Sequence, residues 1–196
     1  MKTPPALPIS QLPPGYREVE HWRITASRKR VVLANLLAIA LLPVSAWLSL
    51  GAMRIARVSP EGFVFTVPMV LLAALALVPL HEGVHGLAVL AFGAKPRFGI
   101  LWKALAFYTT MPDRVFKRWV FWIFLLAPLV LLSVLLPLAA VFLEGEFWRP
   151  LIFLMMVLNG AGSAGDLYMA LVLLRYPSSA YVADEKDGMR IFLPAD

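Results

Sequence analysis

Apolar residues gather into four long runs with shorter polar stretches between them. They cover Val31 to Met53, Phe63 to Phe92, Trp119 to Leu143 and Leu151 to Leu174. Apolar residues continue around every face of these runs, the pattern of helices surrounded by apolar material. At a rise of about 1.5 Å per residue, each is long enough to cross a hydrocarbon core of about 30 Å. Pro43, Pro79, Pro128 and Pro137 fall inside the runs. Proline removes a backbone donor, but a membrane helix tolerates it where neighbours satisfy the freed carbonyl. The pattern therefore predicts kinked helices, with the turn around Pro79 loosened.

The intervals between the runs differ in character. Residues 93–118 form the longest polar connection, with apolar stretches at Arg97–Trp102 and Ala104–Thr110. β-Branched and aromatic residues bounded by Gly and Pro favour strand, so a short β-hairpin or membrane-dipping loop is expected there. Residues 1–30 read as a polar leader, with Pro4, Pro5, Pro8, Pro13 and Pro14 and no apolar core of a cleaved signal peptide. Trp22 in this leader reads as an interfacial aromatic and His21 as an exposed neighbour. Residues 176–196 read as a polar tail. The expected fold is an all-α integral membrane protein, with about four transmembrane helices over residues 31–175.

Composition agrees. Hydrophobic residues make up 60% of the chain and charged residues 15%, against roughly 25% charged in soluble domains. The formal charge of +6 comes from Lys and Arg at the ends of the runs. That placement suits orientation and contact with anionic lipid, and no nucleic-acid partner is expected. The leader, the 93–118 connection and the tail counted from Arg175 hold fifteen of the 18 basic residues. By the positive-inside rule these three segments, and both termini, face the cytoplasm, taken to be that of a bacterial cell. Trp102, Trp119, Trp122 and Trp148 read most simply as interfacial anchors. Cysteine is absent, so a metal site must be built from His and carboxylate.

One stretch carries candidate chemistry: His81-Glu82-Gly83-Val84-His85 in the second run. On a helix, His81 and His85 share one face and can hold one metal ion, with Glu82 placed to take a proton from water. Ionisable groups at membrane depth are costly and mark functional sites. A catalytic zinc usually has three protein ligands. The first and third runs contain no acidic residue or histidine, and the fourth contains only Asp166. Elimination makes Asp166 the third ligand of a Zn2+ ion. The orientation places it at a depth similar to that of His81 and His85.

Four more residues are secondary candidates. Asn159 and Ser163 precede Asp166 in a small-residue stretch and can hydrogen-bond the ligands or a substrate backbone. Tyr108 and Thr109 lie on a strand edge that can pair with an extended substrate. Plain helix packing and a plain strand edge are the alternatives for these pairs.

The motif in a membrane helix, a hairpin-like 93–110 segment and Gly165-Asp166 in a later helix resemble site-2-protease-type intramembrane zinc metalloproteases. The resemblance is nearest to a group of small bacterial membrane proteins called putative zincin peptidases; Tyr181-Val182-Ala183-Asp184 is also in keeping. It implies zinc at His81, His85 and Asp166, Glu82 as general base, and hydrolysis of a peptide bond in a membrane-associated protein. Two features depart from the site-2 pattern: no proline follows Asn159 in an Asn-x-x-Pro segment, and Leu167 rather than a preceding Leu and following Gly accompanies Asp166. A non-catalytic metal-binding membrane adaptor and a small metal or proton transporter are the rival functions. The oligomeric state is not legible.

Overall fold

The computed structural model describes residues 11–101, 106–112 and 114–195. Trp102 and the prolines at 4, 5 and 8 lie outside the described residues. The elements in chain order are β1 (Tyr16–Arg23), α1 (Arg28–Ile55), α2 (Val67–Ala91), β2 (Arg97–Leu101), β3 (Ala106–Thr110) and β4 (Val115–Lys117). They continue as α3 (Arg118–Phe142), α4 (Trp148–Gly162), α5 (Ala164–Leu173), β5 (Tyr181–Glu185) and β6 (Gly188–Pro194).

Four helical segments are long and apolar enough to cross a membrane: Arg28–Ile55, Val67–Ala91, Arg118–Phe142 and Trp148–Leu173. Their outward faces stay apolar, with Ile39, Trp47, Leu75 and Val134 all exposed. Among the described residues, the last segment breaks at Ser163 between α4 and α5. The Ser163 hydroxyl donates to the Asn159 carbonyl at 2.9 Å, alongside the Ser163 N–H at 3.0 Å. A serine bonded back to the preceding turn bends a helix in this way.

The expectation of an all-α fold is overturned. A four-stranded antiparallel sheet runs in the order β1-β6-β5-β4, and β2 and β3 form a separate two-stranded ribbon. The ribbon lies where the residue pattern favours strand. The larger sheet unites the leader, the end of the 93–118 connection and the tail: Tyr16 faces Pro194, and Val115 faces Ala183. Its strands carry charge on exposed positions and so read as polar flanks. Partners so distant in sequence leave no local hairpin signal. Trp22 is likewise a core residue, 2% exposed, with its ring edge-on to Tyr168 and the Arg30 guanidinium above it. His21 is exposed on β1, opposite Arg190.

Contacts divide the chain into two compact units. One takes residues 1–32, 82–127 and 166–196 and contains the strands. Its core joins Trp22, Val89, Phe116, Phe121, Phe124, Leu173, Val182, Met189 and Ile191. The other takes residues 33–81 and 128–165 and is helical. There Gly160 of α4 lies against Ser45 of α1, and Phe63, Phe65 and Phe153 stack together. The division passes between His81 and Glu82, inside the unbroken helix α2.

Candidate metal centre

Helix α2 carries His81 and His85 one turn apart on one face. α5 carries Asp166 in its first turn. The Asp166 Oδ2 atom lies 3.5 Å from His85 Nε2. One ligand atom from each of His81, His85 and Asp166 can be chosen so that all lie within 4.8 Å of one another. No other such cluster of three occurs among the described residues. The three ligands expected from sequence are thus brought together.

The bonds behind the two imidazoles decide which nitrogen faces the cluster. His85 Nδ1 is 2.8 Å from the carbonyl oxygen of Phe124. A carbonyl only accepts, so the neutral ring carries its proton on Nδ1 and leaves the Nε2 lone pair on the Asp166 side. Asn159, 1% exposed, does the equivalent work for His81. Its Nδ2 faces the carbonyls of Pro128 and Leu129 at 3.4 and 3.5 Å, which requires the amide nitrogen there. Its Oδ1 is therefore turned to His81 Nδ1, at 3.4 Å, and accepts from it. Ligand histidines are commonly oriented through the ring nitrogen that does not bind metal.

Glu82 follows His81 and turns toward the ribbon. Thr109 Oγ1 lies 2.7 Å from Glu82 Oε2 and 3.1 Å from the Glu82 carbonyl oxygen. A hydroxyl has one proton, and the shorter contact directs it to the carboxylate. The ribbon is seated on α2 close by. Phe98 of β2 lies over Gly86, where an added Cβ would come within 2.6 Å of the ring. The end of β3 is tied to β5, because the Met111 N–H donates to Asp184 Oδ2 at 3.2 Å. Burial pushes the Asp184 carboxyl up to about 7, opposed by the Thr110 hydroxyl and the Met111 N–H.

The secondary candidates separate cleanly. Asn159 and Thr109 touch a candidate ligand and the candidate base respectively. Ser163 instead spends its hydroxyl on the Asn159 carbonyl. Tyr108 lies across Gly99, its partner on β2, with the Lys186 ammonium 5.8 Å over its ring.

A family model described as "Putative zincin peptidase" matches residues 74–181, more than half of the chain. The chain belongs to that family. The matched segment contains α2 from its middle onward, the ribbon, α3, α4, α5 and the start of β5, so the zincin peptidase match includes every residue of the cluster. An uncharacterised 24.7 kDa protein in the gap 5' region of Pyrococcus woesei is 31% identical over 126 residues. The match takes in 61% of this chain and 52% of that protein, so the chain spans about half the length of its curated relative. No solved structure matches significantly.

The family implies zinc, and the donor set fits it. Two imidazoles and one carboxylate are the ligand types of a catalytic zinc with an open position. No thiolate competes, since the chain has no cysteine. Sequence reasoning missed the Phe124 carbonyl and Asp184 as site neighbours. A backbone acceptor leaves no trace in residue type. Asp184 stood only as part of a stretch in keeping with the family, in a segment read as tail.

Proposed function

We propose that this zincin peptidase family member is an intramembrane zinc metallopeptidase of the site-2-protease type. Its substrate is a membrane protein or membrane-associated peptide. The observation that carries the reading is the convergence of His81, His85 and Asp166, with Glu82 beside them on α2. Four helices of membrane-crossing length support placement in a bilayer. The clustering of basic residues supports cytoplasmic termini and a site toward the cytoplasmic side.

His81, His85 and Asp166 would hold the ion, which would supply Lewis acidity and lower the pKa of water toward about 7. Glu82 is the general base: its carboxylate accepts the proton of the attacking water and then delivers it to the leaving amine. Thr109 holds that carboxylate by one oxygen, leaving the other to work. A substrate helix must unwind before its peptide bond can be attacked, because its amides are already hydrogen-bonded. The ribbon of β2 and β3, anchored at Glu82 through Thr109 and at Gly86 through Phe98, offers backbone donors and acceptors to the unwound strand.

The test uses the full chain purified in detergent. Elemental analysis is expected to find zinc in the parent and in Glu82→Gln, and to find it depleted in Asp166→Ala. A pool of membrane-protein peptides, followed by mass spectrometry, should be cut by the parent and left intact by Glu82→Gln. Equal cutting by Glu82→Gln refutes the base assignment, and parental zinc in Asp166→Ala refutes the third ligand.

A further inference from the structure

Helix α3 contains two prolines, Pro128 and Pro137. A proline in a helix has no N–H to give the carbonyl four residues earlier. For Pro128 that carbonyl belongs to Phe124, the acceptor that lies 2.8 Å from His85 Nδ1. In a lipid-surrounded helix a freed carbonyl must find a new donor or cost several kcal/mol. Here the donor is a candidate metal ligand. Phe124 is itself fixed, since its 2% exposed side chain packs edge-on against Phe92, Phe116 and Phe121.

We propose that Pro128 is a positioning residue for the metal centre. By vacating the helix hydrogen bond at Phe124, it leaves a rigid backbone acceptor that sets both the tautomer and the rotation of His85. With an alanine at this position, the new N–H would compete for the same carbonyl. The Phe124 oxygen would turn back along the helix axis, and its bond from His85 Nδ1 would weaken. The ring would then be free to rotate or to take the other tautomer, which places a proton where the ion must bind. Pro137 provides the internal comparison. The carbonyl it frees is that of Ser133, more than two turns along α3 from Phe124. A proline acting only as a bend would make the two substitutions alike.

The inference rests on the metallopeptidase reading, and the experiment separates the two. Zinc affinity of the full chain in detergent is measured by competition with a chromophoric chelator, for the parent, Pro128→Ala and Pro137→Ala. Loss of an outer hydrogen bond to a ligand typically weakens metal binding about 10- to 100-fold, and that is the expected effect of Pro128→Ala. Pro137→Ala should bind as the parent does. Parental affinity in Pro128→Ala, or equal weakening in both variants, overturns the role of Pro128 and leaves the metal site standing. A parent that binds no zinc overturns the metallopeptidase reading itself. A second measurement needs no folded Pro128 variant. In 15N-histidine spectra of the zinc-free parent at alkaline pH, the resonance lost in His85→Gln should report a proton on Nδ1. A proton on Nε2 overturns the proposal.

Discussion

Glu82 and Thr109 show how much depends on one hydroxyl. A glutamate side chain has three rotatable bonds, and a base works only while its carboxylate stays near the reacting water. The 2.7 Å contact from Thr109 restricts that freedom from outside the helix. Thr109→Val keeps the β-branched shape of a strand residue but removes the donor, whereas Thr109→Ser keeps the donor. Hydrolysis of any peptide cut by the parent should slow about 10-fold in Thr109→Val, as for other outer-sphere contacts, with zinc content unchanged. Thr109→Ser should recover most of the rate. Equal rates for the two variants would show that the hydroxyl does not position Glu82. Thr109 was a candidate from its place on a strand edge, for pairing with substrate. Its bond to Glu82 depends on the tertiary placement of β3 and has no sequence signature.

At the scale of elements, the long helices were legible because each carries an unbroken apolar run of membrane-crossing length. The run from Trp119 to Leu143 became α3 at Arg118–Phe142, and the run from Phe63 to Phe92 became α2 at Val67–Ala91. The break at Ser163 was foreshadowed only as a small-residue interruption. One of those small residues has a definite steric task. A Cβ on Gly160 would overlap Ser45 Oγ and lie 2.8 Å from Ser45 Cβ, so the absence of a side chain here makes room for Ser45 of α1. Gly160→Ala is expected to destabilise the helical unit by about 1–3 kcal/mol, the usual range for overpacking. Ser45→Gly in the same chain should relieve most of it, since Ser45 supplies the atoms in the way. Thermal unfolding in detergent of both single variants and the double variant checks this. An additive double variant would mean that the two residues do not meet.

Across the whole molecule, the sheet links the leader and tail strands to the β2–β3 ribbon. Asp184 on β5 receives the Met111 N–H at the end of β3, one residue past Thr110 and two past Thr109. Burial raises the Asp184 carboxyl from 3.8 to about 7, so the folded chain holds its proton more tightly than the unfolded chain does. The stabilisation from this group is complete below its ordinary value and is lost as pH rises through about 7. Asp187 works in the opposite sense. Partial burial would raise it, but the bonds from Thr25 and Arg23 outweigh that and lower it, so its contribution is lost as pH falls. Asp184→Asn keeps an oxygen for the Met111 N–H and cannot ionise. It should flatten the decline in melting temperature between about pH 4 and 8 and leave the acid limb unchanged. A decline as steep as the parent's would assign it to another group.

The sequence by itself determined the four apolar helices and placed the candidate pair His81 and His85 on one helix face, with Asp166 as their candidate partner by elimination. Each follows from a constraint that acts locally or through scarcity: apolar length, helical period, and the cost of an ionisable group at membrane depth. Only the tertiary structure decided the four-stranded sheet, because β1 and β6 lie at opposite ends of the chain and each reads alone as a polar flank. It alone also decided what surrounds the candidate ligands and base. Thr109 on Glu82, Asn159 on His81 and the Phe124 carbonyl on His85 are contacts between distant segments. Two of the three end on side chains that were visible as candidates, while the third ends on a backbone oxygen that no residue type can announce.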